Sequence, residues 1–168
     1  MRERLEKYLF EESARAFAVL DGAGVAELPV RIYETQARSV CLYRGEIAPD
    51  VAEVAPYLIE LFPGDDFTEW LLNENAAGKS WGIFARSRYS MTEVRKHFRK
   101  FLTVYDDAGN PMLFRFYDPR VLRKFLPTCD REGLSSLFAI ISSYLAEASE
   151  TEFVRFECDN GKLHSAVV

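Results

Sequence analysis

Two carboxylates in this chain are placed where they could do chemistry. Asp21 follows the apolar run Ala16-Phe-Ala-Val-Leu20, and Asp118 lies in Tyr117-Asp-Pro-Arg120. Brought together at strand ends, with a borrowed divalent metal, they could serve a small hydrolase or nuclease. Each also has a local reading: Asp118 suits a helix N-cap with Pro119 in the first turn, and Asp21 opens the turn Asp21-Gly-Ala-Gly24. That turn resembles a dinucleotide cradle, but Glu27 stands where the third glycine belongs and adds bulk and negative charge. His97 and His164 are the only histidines, and neither has a neighbour at ligand spacing. The pairs Asp65/Asp66 and Asp106/Asp107 read as a helix start and a turn. No catalytic, cofactor or metal residue is assigned on these signals.

Binding chemistry has more to work with. Residues 79–125 carry 11 Lys/Arg against 4 Asp/Glu, while residues 1–78 carry 7 against 15 and residues 126–168 carry 3 against 7. Within the basic middle, Arg86, Arg88, Arg95, Lys96, Arg99 and Lys100 could neutralise phosphates or steer an acidic protein. An overall pI near 5.2 and the lack of interleaved aromatics on that helix favour a solvated or protein-docking face over nucleic acid. Trp81 and Tyr117 are candidate interface anchors, and Trp70 fits a helix face better.

The elements that must position these residues follow from periodicity. A short amphipathic helix covers 1–13, and strands are expected at 16–20, 39–43, 57–61 and 81–85. Helices are expected from 27 to 35 and beyond Asp66, where Asp66 and Glu69 have capping-box spacing, the latter helix ending over Asn75–Gly78. Ser90 and Glu93 open another helix, with Met91, Val94, Phe98 and Phe101 on its core face. A hairpin joins 103–105 to a strand that runs through the alternating Leu113–Tyr117, placing Tyr117, Asp118 and Arg120 at a sheet edge. Helices at 118–126 and 130–147 follow, the latter read from Leu134, Leu137, Phe138, Ile141, Tyr144 and Leu145. The Asp159-Asn-Gly161 turn then closes a terminal hairpin.

With 168 residues, 48% apolar, and no long apolar run, the expected class is a single α/β domain. Its mixed β-sheet is flanked by helices and ends in a C-terminal β-hairpin. The charged N-terminus does not read as a secretory signal, and three scattered cysteines read as free thiols of a reducing cytoplasm.

Five blocks occur together in order: Ala18-Val-Leu-Asp-Gly-Ala23, Tyr57-Leu-Ile-Glu-Leu61, Phe67-Thr-Glu-Trp70, Trp81-Gly-Ile-Phe-Ala-Arg-Ser87 and Phe114-Arg-Phe-Tyr-Asp-Pro-Arg-Val-Leu122. In these, roughly over residues 15–145, the chain resembles the bacterial type VI secretion effector-adaptor (effector chaperone) family, first catalogued as a domain of unknown function. The resemblance implies a non-enzymatic cytoplasmic protein, without cofactor, that binds a toxic effector and promotes its loading onto the VgrG spike. It implies neither nucleic acid nor membrane as partner. Many members continue into a largely helical lobe. Here the sequence runs to Val168 after a hairpin, as a compact member or as the first half of a longer apparatus. On this reading the partner-binding residues are Trp81, Arg86, Arg88, Lys96, Arg99, Tyr117, Asp118 and Arg120, with an apolar or helical effector segment docking near Trp81, Tyr117 and Arg120.

Overall fold

The computed structural model describes residues 2–11, 13–74 and 78–168. Most of the expected end of the helix over Asn75–Gly78 therefore lies outside the described residues. The chain forms α1 (Arg2–Phe10), β1 (Arg15–Asp21), α2 (Leu28–Glu34), β2 (Ser39–Cys41), α3 (Pro49–Val54) and β3 (Pro56–Leu61). It continues through α4 (Asp66–Glu74), β4 (Gly82–Ser87), α5 (Met91–Phe98), the ribbon of β5 (Thr103–Tyr105) and β6 (Pro111–Leu113), and α6 (Pro119–Phe125). A 3-10 turn at Leu126–Thr128, α7 (Arg131–Leu137), β7 (Ser143–Ser149), β8 (Glu152–Asp159) and β9 (Lys162–Val167) complete it. Among the described residues, no helix is long and apolar enough to cross a membrane.

The fold is α/β, with one main sheet in the order β2-β3-β1-β4-β7-β8-β9 and the terminal hairpin as expected. Its strand directions are more uniform than the expected mixture, because every pairing is antiparallel. The helical crossover from β3 through α4 to β4 joins two parallel strands, yet β1 lies between them and pairs antiparallel with both. Crossovers of the βαβ kind are thus present without parallel neighbours.

Alternation along the central strands feeds two cores. Phe17, Val19, Ile83, Ala85, Tyr144 and Phe156 meet α5, α6 and α7 on one face. Ala18, Leu20, Phe84, Leu145 and Phe153 meet α1, α2 and α4 on the other. β1 is buried at every position from Ala16 to Asp21, which explains its unbroken apolar run.

Local chemistry sets the helix starts. Ser90 and Glu93 form the full reciprocal capping box that their spacing predicts. Ahead of α4 the cap is shifted by one residue from the expected Asp66: the Asp65 carboxylate accepts from the Thr68 amide at 2.6 Å. Glu69 is instead ion-paired to Arg2 of α1.

Two expectations are overturned. The helix expected over 130–147 ends at Leu137, and residues 143–149 form β7 inside the sheet. Tyr144 and Ala146 face one core and Leu145 the other, so a strand buried on both faces reproduces helical apolar spacing. The strand expected to reach Tyr117 stops at Leu113, in a two-stranded ribbon separate from the main sheet. Phe116 and Tyr117 are consecutive and both packed into the same core, which a strand's alternation between faces cannot deliver, and the chain turns so that the Asp118 amide donates to the Arg115 carbonyl at 3.0 Å.

The buried histidine of α5 makes the fold sensitive to pH. His97 is 4% exposed, and its Nε2 lies 3.0 Å from the Leu137 carbonyl, an acceptor only, so Nε2 carries the proton. Burial first, then Lys100, outweigh that hydrogen bond and hold the imidazole below its usual range. The unfolded chain therefore takes up a proton more readily than the native one. Stability from this group is complete above the unfolded value of about 6.5 and is lost as pH falls through it toward the lower folded value. His97→Gln keeps a donor but cannot titrate. The fall in melting temperature between pH 7.5 and 5.5 should be smaller in the variant, and parallel melting curves would refute this.

Candidate partner-binding site

The site is built where β1 ends. Because Gly82 pairs with Leu20, the Asp21 end of β1 lies against the start of β4, and the Asp21 amide donates to the Trp81 carbonyl at 2.8 Å. Close backbone approach requires glycine here: a Cβ on Gly22 would stand 2.5 Å from the Ala55 carbonyl oxygen, and one on Gly82 would collide with that of Val19. Gly22 therefore serves strand packing. Its own amide donates to Ala55 at 3.0 Å.

The Asp21 carboxylate is buried and hydrogen-bonded to the Ala23 amide at 3.2 Å and to the Arg115 guanidinium. Residues 94 positions apart are thereby locked together. Burial works to lower the Arg115 pKa, but Asp21, with help from Tyr117 and Asp118, raises it above the usual value. Arg115 also lies over the Tyr117 ring at 6.0 Å.

Tyr117 is 1% exposed, and burial pushes its hydroxyl pKa well up, with Tyr43 and Asp21 adding to the effect. It braces the site from within and presents no ring to a partner. Asp118 caps α6, accepting from the Arg120 amide at 2.9 Å and from the Arg120 guanidinium at 3.0 and 2.7 Å. Burial would raise the Asp118 carboxyl, but the Arg120 hydrogen bonds and charge outweigh it and hold the group below the usual range. Arg120 leaves about two-thirds of its side chain in solvent (64%).

The structure thus brings Tyr117, Asp118 and Arg120 together, joined to Asp21 through Arg115. Arg99 sits close by: its Nε donates to the Leu42 carbonyl at 2.9 Å, and its Nη2 to Cys41 and Tyr43 at 3.0 and 2.8 Å. Burial, then repulsion from Arg95 and Arg44, lowers its pKa.

The other four expected residues lie elsewhere. Trp81 is on the opposite face of the sheet, half-buried and stacked on Trp70 with ring centroids 5.4 Å apart. Lys79 covers the outer indole at 4.5 Å and Arg31 covers Trp70 at 5.2 Å, so cations close the stack on both sides. Arg86 and Arg88 stand at the far end of β4, about 20 Å from Trp81 by strand rise. Arg86 is buried, whereas Arg88 and Lys96 are exposed. Among the described residues Trp81 and Tyr117 share no concave surface, because they pack against opposite faces of the sheet.

Sequence reasoning missed Arg115 as the partner of Asp21. It also missed Tyr43 and Arg44, which come from the loop after β2. Nothing in the spacing links these positions: Asp21 and Arg115 are joined only because two separate blocks fold together, and Tyr43 and Arg44 lie outside all five blocks.

Residues 16–136 match a family described as "Domain of unknown function (DUF4123)". No curated protein and no solved structure matches the chain.

Proposed function

We propose, since the chain belongs to the DUF4123 family, that it is a non-enzymatic adaptor of type VI secretion. In this reading it binds a toxic effector in the cytoplasm and promotes its loading onto the VgrG spike. One observation carries the reading: the two blocks around Asp21 and Asp118 converge, and each carboxylate is engaged by an arginine of the second block. Acids held this way brace a surface, their charges cancelled by Arg115 and Arg120, and the cations near the same loop, Arg44, Arg99 and Lys100, have no acid paired with them among the described residues. Such a surface suits holding a polypeptide, with Arg120 and the α5 cations as rim contacts.

The test is affinity capture of the tagged chain from a bacterium with an active type VI system, after cross-linking in the cell. An effector toxin and VgrG should be recovered together. Recovery of neither, or a purified chain with a turnover abolished by Asp21→Asn in a folded variant, would overturn the reading.

A further inference from the structure

We infer that the groove between the loop after β2, the end of α5 and the β5–β6 ribbon is the seat of an acidic, apolar-bearing segment of a protein partner. The inference deepens the adaptor reading and rests on it. The groove has a volume of about 540 Å³, and Arg44, Arg99 and Lys100 line it together with Leu102, Tyr105 and Leu113. It is separate from the knot of Asp21 and Arg115, though both draw on the same loop through Tyr43.

Three features point to that occupant. The first is unneutralised charge. Arg44, Arg95, Arg99 and Lys100 form no ion pair with any described residue. One helical turn before Arg99, the Arg95 Nε is buried without an acceptor. Like charges gathered this way repel each other until an anion arrives.

The second is pre-organisation. Three backbone carbonyls hold Arg99 through Nε and Nη2, which leaves Nη1 for an incoming carboxylate.

The third is the ribbon. All six of its residues are exposed, including Val104, Tyr105, Met112 and Leu113. A two-stranded ribbon is marginal by itself. This one keeps its shape through its turn, where Asp106 accepts from the Ala108 amide at 2.9 Å, the Asn110 amide at 2.8 Å and the Asn110 side chain at 2.9 Å. Its register places Thr103 opposite Leu113 and Tyr105 opposite Pro111, so Tyr105 and Leu113 share the groove face.

A short segment with carboxylates beside leucine-like side chains matches both halves of the lining. A nucleic acid matches less well. Of the two rings in the groove, Tyr105 is exposed for stacking while Tyr43 is half-buried, and the floor of Leu42 and Leu102 is apolar.

The probe is a displayed library of random 12-residue peptides selected on the full chain. Selected peptides should combine Asp or Glu with large apolar residues. Their Kd should rise at least tenfold in Arg44→Glu/Lys100→Glu and in Leu113→Ser, and stay unchanged in Lys124→Glu on α6. Arg44, Lys100 and Leu113 are exposed, so unchanged melting temperatures establish that the variants fold. Selection of non-acidic peptides, no selection at all, or equal affinity for the double variant would overturn the groove. Tighter binding of a single-stranded oligonucleotide than of any peptide would also overturn it. If those results come from a chain that still captures effector and VgrG, the groove alone fails. If the groove binds acidic peptides and neither protein is captured, the adaptor reading alone fails.

Discussion

Replacing Phe116 with alanine is expected to cost about 3–5 kcal/mol of stability, the largest effect of any change in the block that carries the site. The ring is 1% exposed and stacks on Phe98 at 5.3 Å, with the rings of Tyr117 and Phe101 edge-on at 5.6 and 6.4 Å. Removing it deletes a buried aromatic from the centre of the α5 core and leaves a cavity that its aromatic neighbours can fill only in part. Against a total stability of about 5–15 kcal/mol, the melting temperature should fall by roughly 10 °C. Phe114→Ala is the comparison, since Phe114 is only half-buried against Phe125 at 4.7 Å and should cost distinctly less. Urea unfolding of both variants decides the point: equal midpoint shifts would mean that Phe116 does not anchor the turn. Anchoring matters for function because Arg115 precedes this ring and reaches Asp21 only while the turn holds.

How far the sequence disclosed this arrangement depends on the range of the interaction involved. Caps and turns act over a few residues and were legible: Ser90 with Glu93, Asp118 with Pro119, and Asn160-Gly161, both at positive φ. The buried run of β1 was equally plain, because a strand covered on both faces needs no polar alternation.

The same rule made β7 illegible. Ser143-Tyr-Leu-Ala146, buried on both faces, continues the helical spacing of Leu134 and Leu137 so well that periodicity alone merges them. The segment from Phe114 to Tyr117 failed in the opposite way. It alternates by type, but Tyr117 is drawn into the core beside Phe116 by tertiary packing, leaving Arg115 turned toward β1. Of the site, the cap of α6 and the basic end of α5 could be read locally. The pairing of Asp21 with Arg115 could not, because it is made by the order of strands in the sheet, and the exposed ribbon beside the groove was hidden by the longer strand expected there.

That pairing makes an asymmetric prediction. Arg115→Met should cost about 3 kcal/mol, whereas Asp21→Asn should cost only about 1 kcal/mol. The asymmetry follows from solvent. The Asp21 side chain is 7% exposed, so removing the guanidinium strands a carboxylate that water reaches poorly, with only the Ala23 amide at 3.2 Å for company. The Arg115 side chain is 46% exposed, and solvent can screen and hydrate its charge once the acid is gone. Methionine preserves the apolar stem of Arg115, and asparagine preserves an acceptor for Ala23, so each variant removes the charged hydrogen bond while keeping the rest of the side chain's shape. Chemical unfolding of the two single variants and the double variant measures the effect. The double variant should recover part of the Arg115→Met deficit, since no charge is then left buried. An Asp21→Asn cost equal to or above that of Arg115→Met, or strict additivity in the double variant, would show that the pair does not hold the two blocks together.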